Sequence, residues 1–93
     1  MINKKILKIR KELDKLDDKF LDILKQRQKL VDLVIKNKKF KKDIVDKKRI
    51  KVIINNILKK SKKKRIDPKV AKKIWLSMIK GFIDYEFRNF KGK

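Results

Sequence analysis

One apolar stripe constrains this chain more than any other feature. Ile6, Ile9, Leu13, Leu16, Phe20 and Ile23, then Leu30 and Val34, follow spacings of three and four, the rhythm of one face of a long packed helix. The step after Ile23 lands on Arg27, and the step after Val34 lands on Lys38. A cation on a packed seam is costly unless something anionic meets it, so this helix reads as both scaffold and anion site. Asn3 is placed to cap it, and the pattern ends near Asn37 or Lys39. A helix of about 35 residues is about 50 Å long, longer than a compact domain of 93 residues is wide. The remaining chain is too short to cover it, which makes a second copy of the chain the expected cover. Leu24, Val31 and Ile35 widen the stripe, as burial on two sides requires.

After the first helix, Lys38 to Val45 breaks the pattern without Pro or Gly, and Phe40 and Ile44 are expected to pin a short connection. A second helix is predicted from Val45 or Asp46 to Leu58, with Ile50, Ile53, Ile54 and Ile57 as its buried side. Asp46 stands where a carboxylate suits the helix dipole, and Arg49 lies one turn later. Lys59 to Arg65 is a run of like charge that repels itself and is expected to be a solvated loop. Asp67 followed by Pro68 reads as cap and first turn of a third helix running to Phe87 or Phe90. Val70, Ile74, Trp75, Met78, Ile79, Phe82 and Ile83 form its inner side, and Glu86 continues that stripe, so an acid also points inward. Gly81 costs about 1 kcal/mol of helix propensity and is expected where close packing needs it. Residues Lys91 to Lys93 are expected to fray.

Length allows one domain over residues 1–93 with limited capacity to bury a core alone. The net charge of +21, from 32 basic against 11 acidic residues, suits nucleic acid, an anionic surface or small anions. Only Arg10, Arg27, Arg49, Arg65 and Arg88 of those bases are arginine, and the chain is rich in Ile and Asn with a single alanine, Ala71. That pattern fits an AT-rich coding bias spreading lysine over solvated faces, against which the arginines stand out. The chain contains no Cys and no His, which removes disulfides, thiol nucleophiles, imidazole bases and the usual zinc sites. No apolar run approaches a membrane span, and the opening Met-Ile-Asn-Lys-Lys lacks the apolar region of a signal peptide, so a cytoplasmic protein is expected.

Arg27, Lys38, Arg49 and Glu86 are thus aimed toward buried faces, with Asp46 beside Arg49. Any one of them alone could be a side chain snorkelling from the edge of a stripe. Three cations and one acid converging on an apolar interior describe a pocket for a small dianion. In these residues the chain resembles the all-helical AroQ class of chorismate mutases, over essentially its full length. The resemblance is carried by IRKELDKLDDKFLDILKQR at residues 9–27, by Lys38, by Asp46-x-x-Arg49, and by the Ile-Asp-Pro opening and IWLSMIKGFIDYE of the third helix.

The resemblance implies an all-α fold of three helices per protomer, one very long, in an intertwined homodimer with two equivalent sites. It places Arg27, Lys38 and Arg49 of one protomer and Arg10 of the other around a chorismate dianion, with Asp46, Ile50, Phe82 and Glu86 completing the site. It implies rearrangement of chorismate to prephenate in phenylalanine and tyrosine biosynthesis, with no cofactor and no metal. The chemistry is pericyclic and needs no nucleophile, only a compressed conformer and positive charge near the breaking ether bond. Arginines would hold the carboxylates by paired hydrogen bonds, while Lys38 and a protonated Glu86 would donate to the ether oxygen.

Ile50 stands where many members of that family have Glu, Phe82 where they often have Ser, and Glu86 where Gln is common. Apolar replacements like the first two are similar to those of isochorismate-pyruvate lyases of the same fold, whereas Asp46 fits the mutases. Mutase is therefore the first reading and lyase the second. A basic helical nucleic-acid-binding protein is a third, from a different class, with Lys59 to Arg65 as its best patch. It lacks a helix-turn-helix spacing, an aromatic stacking set and a basic stripe confined to one face, so only nonspecific binding to nucleic acid is expected. A purely structural coiled-coil dimer would leave Arg27 and Glu86 without a purpose.

Overall fold

The computed structural model describes residues 3–92. Met1, Ile2 and Lys93, which belong to the opening and closing stretches read above, lie outside the described residues. Three α-helices, α1 (Lys4–Asn37), α2 (Lys47–Lys63) and α3 (Pro68–Asn89), and one 3-10 turn at Lys41–Asp43 make up the described secondary structure, an all-α protein.

Each helix starts where a side chain can take up a free backbone N–H. Asn3 Oδ1 accepts from the Ile6 N–H at 2.9 Å, Asp46 Oδ1 from the Arg49 N–H at 3.0 Å, and Asp67 Oδ1 from the Lys69 N–H at 2.8 Å, with Pro68 in the first turn of α3. The end of α2 departs from expectation. The run Lys59 to Arg65 is not a solvated loop, because the helix continues to Lys63. Lysine is a good helix former, and cations in a last turn meet the negative end of the helix dipole, which outweighs their screened mutual repulsion. Arg65 then takes a left-handed conformation (φ 58°). Its N–H donates to the Lys62 carbonyl, and the Ile66 N–H donates to the Ser61 carbonyl, which closes the helix in a Schellman motif. A residue with a Cβ spends roughly 1–2 kcal/mol in that conformation.

The contacts of the chain group into two units, the first ending at Leu30 and the second beginning at Val31. In the second unit α2 packs against α3. Ile50, Ile53, Ile54 and Ile57 of α2 and Trp75, Met78, Ile79, Phe82 and Ile83 of α3 are half-buried, while Ile35, Ile44 and Ala71 are buried. Ile44 therefore pins the connection as expected. Phe40 does not, being 49% exposed with the Lys42 ammonium 5.4 Å from its ring centre. Val70 and Ile74, read as inner positions, are exposed. Close packing does not explain Gly81, since among the described residues a Cβ there would meet nothing within 4 Å.

The first unit is helical throughout from Lys4. Its stripe, Ile6, Ile9, Leu13, Leu16, Phe20, Ile23 and Leu30, is exposed along its whole length, and Leu24 and Arg27 are its half-buried residues. Among the described residues no helix is long and apolar enough to cross a membrane.

Candidate functional site

Lys38 follows the last residue of α1, and its backbone N–H is shared between the carbonyls of Val34 and Ile35 at 3.1 and 3.3 Å, which carries the helical path one residue further. That fixes the base of a side chain whose ammonium donates to Glu86 Oε1 at 3.1 Å and to the Ile44 carbonyl at 3.3 Å. Glu86 is on the inner face of α3 and only 7% exposed. A carboxylate this dry is tolerable because it is paired and hydrogen-bonded. Removing Lys38 would strand it. The two inward-pointing groups that broke the stripes of α1 and α3 thus meet each other, 48 residues apart in sequence.

The other candidates divide into groups. Ile50 and Phe82 are half-buried in the second unit. Asp46 spends one carboxylate oxygen on capping α2 and is exposed. Arg49 was expected on a buried face but is exposed in the first turn of α2, and among the described residues its side chain makes no ion pair. In the first unit Arg10 is exposed. Arg27 is half-buried, and its Nε is buried with no hydrogen-bond partner among the described residues. An unpaired buried donor costs about 1–3 kcal/mol, more on a charged group, so Arg27 is set for an acceptor that the described residues do not provide.

The Lys38–Glu86 pair can do two things chemically. With both groups charged, it is a neutralised pair with the ammonium presented at the edge of an apolar interior. With a proton on Glu86, both side chains become donors, side by side at 3.1 Å. A cavity of about 480 Å³ also borders Lys38, with Asp32, Ile35, Lys36 and Lys91 among its walls. It is lined by none of Arg27, Arg49, Ile50, Phe82 or Glu86, so it is not the pocket those residues would form.

The chorismate mutase type II family model matches residues 9–87. The chain belongs to this family. No curated protein and no solved structure matches this chain. All the candidate residues, Arg10, Arg27, Lys38, Asp46, Arg49, Ile50, Phe82 and Glu86, lie inside the matched span. An enzyme of the chorismate mutase type II family has a use for a chain without Cys or His, since its reaction class asks for charge placement rather than for a nucleophile.

One polar contact of this chorismate mutase type II chain went unread in the sequence. The Tyr85 hydroxyl donates to Asp32 Oδ1 at 2.6 Å, and the Tyr85 ring meets Phe82 edge-on, 6.3 Å between centres at 87°. The bond to Asp32 raises the Tyr85 phenol above its usual pKa, helped by burial and by the Asp32 charge and opposed by Arg88. The only signal in the sequence was a lone tyrosine directly before Glu86.

Proposed function

We propose that this protein rearranges chorismate to prephenate as an intertwined homodimer. The observation that supports the reading is the Lys38–Glu86 pair with its buried carboxylate, in a chain of a family whose reaction has a use for two donors to an ether oxygen. In the reaction the ether C–O bond breaks as a C–C bond forms within one molecule. No atom is gained or lost, and the oxygen accumulates negative charge on the way. Lys38 donates to that oxygen directly. Glu86 donates to it only when protonated, while Arg27 and Arg49 take the substrate carboxylates as forked pairs. Asp46 stays with Arg49, and Ile50 and Phe82 supply apolar walls that compress the substrate.

A second copy covers the exposed stripe of the first unit and contributes Arg10 to the site. The support is physical: Ile9, Leu13, Leu16 and Ile23 are 52–58% exposed, more contiguous apolar surface than a monomer keeps in water without a partner.

The test is to supply chorismate and isochorismate separately and identify the product. Prephenate from chorismate supports the reading. Salicylate and pyruvate from isochorismate, with chorismate untouched, would replace it by the lyase reading that Ile50 and Phe82 favour. Glu86→Gln supplies the donor without a proton. The variant is therefore expected to equal or exceed wild type near neutral pH. A variant far below wild type near neutral pH would remove Glu86 from the donor role.

A further inference from the structure

Two polar ties join the end of α1 to the end of α3 within the second unit. One is Lys38 to Glu86. The other joins Asp32 to Tyr85, one residue earlier on α3 and about 9 Å further back along α1 at about 1.5 Å per residue. A single tie between two helices lets them pivot about it, whereas two separated ties fix their angle. Lys38 feels any such pivot, because it sits just beyond Asn37 and, among the described residues, its ammonium has besides Glu86 only the Ile44 carbonyl. Tyr85 is well placed to prevent it. Its hydroxyl is anchored on α1, its ring is braced on Phe82, and its backbone is that of the residue before Glu86.

We propose that Tyr85 is a positioning residue for the Lys38–Glu86 pair, its hydrogen bond to Asp32 fixing the end of α1 against α3 so that both donors meet one substrate atom. The kinetic part of this inference rests on the chorismate reading above, and the spectroscopic part does not. Tyr85 is the single tyrosine of the chain, so alkaline tyrosinate absorbance reports on it alone. The groups that govern that titration are Asp32 on α1 and Arg88 on α3.

The experiment compares wild-type protein with Tyr85→Phe, Asp32→Leu, Asp32→Asn and the double variant Tyr85→Phe, Asp32→Leu. Tyr85→Phe is expected to lower kcat about tenfold with KM changed less than about twofold, the pattern of a lost transition-state alignment. Asp32→Leu does the same and brings the tyrosinate midpoint down toward about 10. Asp32→Asn keeps an acceptor oxygen for the same bond and so keeps kcat close to wild type. The double variant is no slower than either single one, because both remove one interaction. A Tyr85→Phe protein that melts lower but keeps wild-type kcat would overturn the proposal, leaving the bond a structural tie. So would a wild-type midpoint at the ordinary tyrosine value. A raised midpoint that falls in Asp32→Leu, in a protein that does not turn over chorismate, would support the tie and count against the chorismate reading instead.

Discussion

The two units of this chain are written in the same alphabet, isoleucine and leucine at helical spacing among lysines, and they use it differently. In the second unit Ile53, Ile54, Ile57, Met78 and Ile79 are half-buried where α2 meets α3, and Ile35, Ile44 and Ala71 are buried. In the first unit Leu16 is 57% and Ile23 56% exposed, on a stripe more regular than either α2 or α3 carries. Regular spacing thus specifies a helix face, but not whether the same chain supplies what covers it. The charged residues divide the same way. Glu86 and Lys38 of the second unit satisfy each other, while Arg27 of the first has a buried donor without an acceptor among the described residues. On our reading, what the first unit lacks comes from a second protomer and from the substrate.

The largest effect that would sharpen this contrast is expected at Leu16. On a solvated helix Leu16→Asp is worth within about 0.5 kcal/mol, whereas on a dimer seam it buries a charge and costs several-fold more. Loss of the folded dimer is the expected result, read by thermal melting and sedimentation together. An unchanged melting curve would show that the stripe is solvated surface.

Arg27 comes next in size. Arg27→Ala is expected to cost about 10²–10³-fold in kcat/KM, the scale of one missing donor to a developing or bound anion, while the protein stays folded because a desolvated cation has been removed. Arg27→Lys is expected to recover little, since a point charge does not replace the planar fork. Near wild-type kcat/KM in Arg27→Ala would remove Arg27 from the site.

The smallest expected effect is at Gly81. With open space around a Cβ there, Gly81→Ala stabilises the protein by about 0.5–1 kcal/mol through helix propensity alone. Destabilisation would place a partner against that face and extend the dimer contact into the second unit.

How much of this was legible in the sequence depended on whether the cause was local. The caps at Asn3 and Asp67 could be read because a side chain and a backbone N–H two or three residues away decide them. The Lys38–Glu86 pair was foreshadowed because each residue interrupts an apolar stripe, and the cost of burying a charge demands a partner. The end of α2 was misread because self-repulsion of the lysine run was weighed without the helix dipole that favours the same lysines. Arg49 follows the inner spacing of α2 but stands in its exposed first turn, where periodicity says nothing about what packs nearby. The Asp32–Tyr85 bond was invisible because 53 residues separate its partners and neither disturbs a pattern.

The central claim, that each site takes Arg27 from one chain and Arg10 from the other, has a direct measurement. Arg10→Ala protein and Arg27→Ala protein, each close to inactive alone, are unfolded together, refolded as a mixture and assayed on chorismate. Random pairing makes half the dimers mixed, and each mixed dimer has one site with both arginines intact, so about a quarter of wild-type activity is expected to return. Activity that stays at the average of the two single variants would contradict the claim and put Arg10 and Arg27 of each site in one chain.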